Sequence, residues 1–460
     1  MYQDTIAAVA TPLGTGALGV VRLSGTESGA IVSGLFTGRL RDHRAVYGHL
    51  VDPATGSAVD EVMALLLNAP RSYTREEMVE LTCHGGPLVV QTALGLLLRQ
   101  GARLAEPGEF TLRAFLHGRL DLAQAESVLD IITSKTPGGL RLAVDGLAGG
   151  LSGRVRALRA MLIEPLAYLT ALVDFPEDEV EASDAAQAMD AALVGLGRLI
   201  ATAGQGMIYR QGVRTAIVGR PNAGKSSLLN RLLGRDRAIV TAIPGTTRDT
   251  LEEVANIGDI PFVFVDTAGI ADTVDPVERL GVERSRATLD TADVVLWVVD
   301  LSRPWDAQDD AIARELVGKR VFVVGNKRDL PPAPWAARFA GAPEGLPLPV
   351  AEAAAWPGQP VSALSGAGVD ELEEKLRQFA LGGKVFDGSE PVVSNIRHRS
   401  ALERAAGHVK DALRAHHDGL PADFITIDLT SAVNALGEIT GETAQADLLD
   451  AIFSKFCIGK

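Results

Sequence analysis

Residues 213–227 read Val213-Arg-Thr-Ala-Ile-Val-Gly-Arg-Pro-Asn-Ala-Gly-Lys-Ser-Ser227. A short apolar strand at 216–218 runs into Gly219-Arg-Pro-Asn-Ala-Gly224-Lys225-Ser226, and a helix is expected over 226–233. This is the G-x-x-x-x-G-K-S pattern with a strand before it and a helix after it. Its glycines let the backbone curl so that several N–H groups converge on anionic oxygens. The helix turns its partly positive end toward the same anion. Lys225 supplies a point charge for the outer phosphates, and the Ser226 hydroxyl suits a magnesium ion.

Strand and helix patterns alternate downstream, which predicts a mainly parallel sheet with helices on both faces. Further motifs fall at strand ends, where such sheets bind ligands. Gly245-Thr246-Thr247-Arg-Asp249 lies in a polar loop about 20 residues after the lysine and offers a second hydroxyl for magnesium. Phe262-Val-Phe-Val-Asp266-Thr267-Ala268-Gly269 is an apolar strand ending in an acid for the metal and a glycine whose N–H can approach the γ-phosphate. Val321-Phe-Val-Val-Gly-Asn326-Lys327-Arg-Asp329 ends in a carboxylate able to accept two hydrogen bonds from guanine, a pairing that adenine lacks. Ser362-Ala363-Leu364 closes a last strand. Four motifs in this order imply a guanine-nucleotide domain. Ile270 stands where Ras-like proteins carry a water-orienting glutamine, and an apolar side chain cannot do that work. Glu278 is the best substitute in the segment that follows; read alone, it is more readily a surface helix acid than a catalytic one. Asn222 can coordinate a monovalent cation beside the phosphates, doing electrostatically what an arginine finger does. Residues 331–360, rich in Pro and Ala, read as a surface loop.

The chain has 460 residues, enough for roughly three domains. Apolar content is 47% and charged content 22%, as in an ordinary globular protein. The net charge of −14 repels nucleic acid and anionic membrane overall, so an RNA partner would need a local basic patch. The N-terminus lacks the pattern of a secretory signal, and no apolar run approaches the roughly 20 residues of a spanning helix. Cys83 and Cys457 sit far apart, which fits a reducing compartment rather than a disulfide framework. Residues 1–119 mix strands (19–23, 62–67) with a helix (87–98), an α+β pattern. Two polar clusters stand out, Glu80-Leu-Thr-Cys-His84-Gly-Gly86 and residues 107–119, and such Gly-rich turns are either ligand pockets or plain turns. His84 reads as structural, with no carboxylate at ligand spacing. From 121 the pattern is helical. Leu140, Val144, Leu147, Leu151, Val155, Leu158 and Leu162 mark one stripe, with a break expected near Gly149–Gly153 and a kink or new start at Pro165. Three more helices are expected at 396–415, 424–436 and 446–456, packing on those of 121–210.

Taken together, the chain resembles the MnmE (TrmE) family of tRNA-modification GTPases along its whole length. The likeness rests on Pro107-Gly-Glu-Phe110 with Asp121-Leu-Ala-Gln-Ala-Glu126, on residues 219–227, on Gly245–Asp249 and on Phe456-Cys-Ile-Gly-Lys460. It implies an α+β N-terminal folate-binding and dimerisation domain (1–119), a split all-α helical domain (120–210 and 381–460) and an inserted α/β P-loop GTPase domain (211–380). GTP contacts would come from Asn222, Ala223, Gly224, Lys225, Ser226 and Ser227; from Thr241, Ala242, Ile243, Pro244, Gly245, Thr246 and Thr247; from Asp266, Thr267, Ala268 and Gly269; and from Asn326, Lys327, Asp329, Ser362, Ala363 and Leu364. Potassium would rest on Asn222, Thr241, Ile243 and Thr246, and magnesium on Ser226 and Thr247. Glu278, Lys225 and Asn222 would carry catalysis. A formyl- or methylene-tetrahydrofolate would meet Arg22, Glu80, Arg119 (lysine in some members) and Lys460. Cys457 matches the family's terminal cysteine, a reactive thiol or a spare one. The implied activity is potassium-activated GTP hydrolysis in a cytoplasmic homodimer. With the FAD-bearing partner MnmG it forms a heterotetramer that places an aminomethyl-type group, such as carboxymethylaminomethyl, on C5 of wobble uridine in tRNA.

The alternative is a regulatory GTPase of ribosome assembly, like Era or Der. That reading predicts a KH-type RNA module or a second GTPase domain, and neither is visible in the sequence. A structural GTPase at membranes would need an amphipathic basic helix or a lipidation signal, and the sequence shows neither.

Overall fold

The computed structural model describes residues 4–174, 184–235, 253–265, 289–336, 356–383 and 391–460. The site residues Thr241, Ala242, Ile243, Pro244, Gly245, Thr246, Thr247, Asp266, Thr267, Ala268, Gly269 and Glu278 expected from the sequence lie outside the described residues. The chain forms two compact units. One comprises Met1–Leu129, Gly146–Val194 and Ala401–Lys460; the other comprises Asp130–Asp145 and Gly195–Ser400.

In the first unit six strands form one sheet. They are β1 (Ile6–Val9), β2 (Leu18–Ser24), β3 (Ala45–Val51), β4 (Ala58–Leu67), β5 (Met78–His84) and β6 (Arg103–Leu104), in the spatial order β3-β4-β5-β2-β1-β6. Only the short β6 runs parallel to its neighbour. Alternation puts Val21, Leu23, Val79 and Leu81 on one face, where they meet Val90, Ala93 and Leu97 of α2 (Pro87–Arg99). On the opposite face Arg22 stands directly across from Glu80. After α1 (Ser28–Ser33) and α2 come α3 (Glu109–Leu116) and α4 (Leu122–Thr133). The expected break in the long helical stripe falls at Gly149, which adopts φ +86° between α5 (Pro137–Leu147) and α6 (Gly150–Asp174).

Pro165 starts no new element. α6 runs through it, with Leu158, Leu162 and Leu169 buried on the same helix to offset the lost backbone hydrogen bond. α7 (Ala185–Gln211) corrects a second expectation: by length and hydropathy it could cross a membrane. Its fully buried residues, Met189, Ala192, Leu196, Leu199 and Ala203, recur at steps of three and four, the stripe of a helix with one core-facing side.

The second unit is a doubly covered sheet. Its strands are β7 (Val213–Val218), β8 (Glu253–Ile257), β9 (Ile260–Phe264), β10 (Val294–Asp300), β11 (Val321–Asn326) and β12 (Gly358–Pro360). The order is β12-β11-β10-β7-β9-β8, parallel except for β8. One face packs Leu228 and Leu232 of α8 (Lys225–Arg235) and Leu372 and Leu376 of α10 (Val369–Leu381) against Phe262, Phe264 and Leu296. The other buries Trp297, Val299 and Val323 under Ala313 of α9 (Ala307–Glu315). Burial on both faces explains why these strands read as continuous apolar runs. The C-terminal helices are α11 (Ile396–His417), α12 (Ala422–Thr440) and α13 (Ala446–Phe453). In the first unit α12 lies along α6, where Arg159 Nε donates to the Val433 carbonyl at 3.2 Å.

Candidate functional site

The phosphate loop joins β7 to α8. Gly219 and Gly224 hold φ of +151° and +93°, and neither could carry a side chain. A Cβ would stand 2.3 Å from the Val298 carbonyl oxygen at Gly219 and 2.2 Å from Asn326 Nδ2 at Gly224. Asn222 is left-handed as well, at φ +62°, a conformation that asparagine tolerates best after glycine, and its side chain is exposed. Lys225 Nζ donates to the carbonyls of Gly219 (3.1 Å) and Arg220 (3.0 Å), which lays the side chain along the inside of the loop.

Asn326 is the clamp. It is buried at the end of β11; its Nδ2 donates to the Ala223 carbonyl at 2.9 Å, and its Oδ1 accepts the Ala363 N–H at 3.0 Å. One side chain thus ties the phosphate loop to the Ser362–Leu364 loop. Ser362 is buried and its Oγ accepts the Ser365 N–H, while Leu364 is exposed. Arg231 of α8 donates to the carbonyls of Ala363 and Leu364. Lys327 takes φ +66°, and its Nζ pairs with Asp300 Oδ2 at 2.7 Å at the end of β10. Burial pushes the Asp300 carboxyl up, but hydrogen bonds from Lys327 and Ser302 outweigh it and hold the group below the usual carboxylate range. Asp329 projects from the same loop and is exposed. Ser227 is exposed on the first turn of α8. The loop is braced from behind by Arg220, which pairs with Asp306 (2.8 Å) and Asp309 (3.0 Å) at the capped start of α9. Asp300 and Arg220 were not singled out from the sequence, because their partners come from other elements.

Among the described residues no cluster of three or more His, Cys, Asp or Glu could hold a metal. Near the loop the described residues offer oxygen donors: hydroxyl, amide and carbonyl groups, and the carboxylates of Asp300, Asp306 and Asp309, which are paired with Lys327 and Arg220. Those suit magnesium and potassium and would be poor for zinc or copper.

A second polar cluster lies in the first unit. The β2–β5 register places Arg22 Nη2 2.9 Å from Glu80 Oε1. The C-terminal tail comes to the same place. Pro107 and Ile458 form a β-bridge, Gly108 N donates to the Cys457 carbonyl at 3.3 Å, and Phe110 N donates to the Lys460 main-chain oxygen at 3.2 Å. The tail therefore satisfies orphan N–H groups at the start of α3. Arg22 Nη1 donates to the Gly459 carbonyl at 3.2 Å. Burial, with the nearby Arg22 charge, pulls the Lys460 ammonium below the ordinary lysine range. Two aromatic rings wall the cluster: Arg22 lies 5.7 Å from the Phe110 centroid, and Arg119 lies 4.6 Å from that of Tyr73. Arg22, Glu80 and Lys460 are thus brought together, and Arg119 joins them through Tyr73. Tyr73 was missed in the sequence; an aromatic two residues before Arg75 carries no local signal. His84 has a carboxylate partner after all, since its Nδ1 lies 2.6 Å from Asp60 Oδ1 on a different strand. Cys457 is exposed and Cys83 is buried.

A glycine-rich loop between a parallel strand and a helix, clamped by an asparagine to an Asn-Lys-x-Asp loop, defines a P-loop nucleotide-binding protein of the GTPase type. The family model described as "GTP-binding protein TrmE N-terminus" matches residues 5–119, and that described as "MnmE helical domain" matches residues 122–457. Proteins named tRNA modification GTPase MnmE are similar over 100% of this chain and 100% of their own. Identity is 52% for Roseiflexus castenholzii, 50% for Roseiflexus sp. and 49% for Chloroflexus aurantiacus. The chain belongs to the MnmE (TrmE) family of tRNA modification GTPases.

Proposed function

We infer that the chain binds and hydrolyses GTP and that hydrolysis serves modification of the wobble uridine in tRNA, together with a flavoprotein partner of the MnmG type. The observation that carries the nucleotide reading is the Asn326 clamp, which fixes the phosphate loop and the guanine-side loop as one body. The tRNA reading rests on relatives of that name along the full chain. In this reading Asp329 accepts the guanine N–H edge, Lys327 flanks the base and Lys225 meets the outer phosphates. A magnesium ion held by Ser226 and Thr247 would offset phosphate charge. Asn222, Thr241, Ile243 and Thr246 would hold potassium beside it. Glu278 orients the attacking water that Ile270 cannot. Changing Glu278→Ala should keep nucleotide binding and lower single-turnover hydrolysis by about 100-fold or more; unchanged hydrolysis removes it from the mechanism.

The Arg22, Glu80, Arg119 and Lys460 cluster is read as a folate site. A carboxylate between cations and flat rings suits a heterocycle with a donor edge and an anionic tail. Mass spectrometry of wobble uridine in tRNA from cells lacking the protein tests the function as a whole. Loss of the aminomethyl-type group, restored by the wild-type chain, is expected. Full modification without the protein would return the ribosome-assembly alternative.

A further inference from the structure

A chain with net charge −14 needs a local basic surface to meet RNA, and the first unit contains one. Three segments meet there: residues 38–44, 68–75 and 117–119. They hold Arg39, Arg41, Arg44, Arg71, Arg75 and Arg119 and only one acid, Asp42. All six arginines are exposed. Their contiguity is shown by hydrogen bonds. His43 Nε2 lies 2.9 Å from the Arg71 carbonyl oxygen, and Asn68 N donates to Asp42 Oδ1 at 3.1 Å. Arg75 Nη1 donates to the His117 carbonyl at 2.9 Å, and Arg119 stacks on Tyr73. The lone acid is engaged within the strip, since Asp42 binds His43 Nδ1 at 2.6 Å and Arg71 Nη2 at 2.9 Å. Arg39, Arg41 and Arg44 have no acid partner among the described residues. His43, at φ +53°, turns the 38–44 loop just before the edge strand β3.

We propose that this arginine strip is a docking surface for the phosphate backbone of the RNA substrate. The proposal rests on the tRNA reading above and gives that substrate a place on the chain. Every cation in the strip is arginine and none is lysine, and the planar guanidinium suits bidentate contact with phosphodiester oxygens. The strip lacks the exposed large apolar side chains with which a membrane-surface segment enters lipid. It ends at Arg119, beside the Arg22–Glu80–Lys460 cluster, so RNA held along it lies next to the proposed one-carbon site.

The test uses the full chain and a fluorescent tRNA, with anisotropy read across a potassium chloride series. The triple variant Arg39→Gln, Arg41→Gln, Arg44→Gln leaves the Arg22–Glu80–Lys460 cluster and the phosphate loop intact. It should bind tRNA at least tenfold more weakly, with the slope of log affinity against log salt shallower by roughly 2–3. GTP turnover and the melting temperature should match wild type. Arg44→Gln alone should shift the slope by roughly 1 in the same direction, which guards against misfolding of the triple variant. Equal affinity and slope for the triple variant and wild type overturn the proposal. So does a loss confined to phosphatidylserine vesicles with tRNA binding intact. A wild-type chain that hydrolyses no GTP and leaves tRNA unmodified would instead defeat the reading on which the strip depends.

Discussion

Asn326 shows how a single side chain can set the working shape of a site. Its amide fills one donor and one acceptor role in two loops, and both partners are backbone groups that would otherwise be buried unpaired. Asn326→Ala should cost roughly 1–3 kcal/mol for each group left unsatisfied. Guanine nucleotide affinity should fall by about tenfold to 100-fold, measured by titration with a fluorescent GDP; wild-type affinity would count against the clamp. The asparagine was legible in the sequence because its motif is short and sits at a strand end. Its neighbour Asp300 was not, because its pairing with Lys327 is made across two strands. The cysteines differ in the same local way. Burial, with the Asp60 charge adding to it, pushes the Cys83 thiol up to about 12, while Cys457 stands exposed. Iodoacetamide at mildly alkaline pH should label Cys457 in the native chain and reach Cys83 only after denaturation. Peptide mass mapping reads the difference, and equal labelling would contradict the burial of Cys83.

At the level of elements, periodicity revealed the helices and strands well, and Gly149 revealed where the long stripe divides. What periodicity cannot show is docking between ends of the chain. The contact of Arg22 with Gly459 spans 437 residues, and nothing in either segment alone announces it. Gly459, at φ +94°, accepts no side chain there, since a Cβ would lie 2.4 Å from the Val9 carbonyl oxygen. Phe456 is core, packed with Phe453 at a centroid distance of 5.6 Å, so a tail deletion that spares it tests the polar contacts alone. Removing residues 458–460 should weaken formyl-tetrahydrofolate binding at least tenfold, read by calorimetry, while GTP turnover continues. Unchanged folate affinity would dismiss the tail from that site.

Across the molecule, the second unit shows how the nucleotide-side sheet takes in helical residues from an earlier part of the chain. Thr136 Oγ1 donates to the Asp259 carbonyl at 2.9 Å, and a Cβ on Gly138 would stand 2.6 Å from the same oxygen. The tip of the β8–β9 hairpin thus rests on a helical segment from much earlier in the chain. That grouping of 130–145 with 195–400 was invisible in the sequence, since it depends on shape at one turn.

The hairpin's strands also bracket the question of how hydrolysis is achieved, because in sequence β8 comes after the Gly245–Asp249 motif and β9 comes just before Asp266 and Ile270. Isoleucine stands where a water-orienting glutamine would, a task proposed above for Glu278; the charge that develops between the phosphates is a separate demand, met in other GTPases by an arginine finger. Asn222 is left-handed and exposed in the phosphate loop, and in the function proposed above its amide oxygen meets a monovalent cation there. Removing one such electrostatic stabiliser costs on the order of 100-fold in other enzymes. Hydrolysis should therefore be at least about tenfold faster in potassium than in sodium at matched ionic strength. Asn222→Gly, which keeps the positive φ and removes the amide, should erase that difference while keeping GDP affinity near wild type, because the loop's N–H groups and Lys225 remain. Phosphate release in the two salts measures both quantities. Equal rates in the wild-type chain would mean that no cation takes part, and a variant that still prefers potassium would move the cation's ligands away from Asn222.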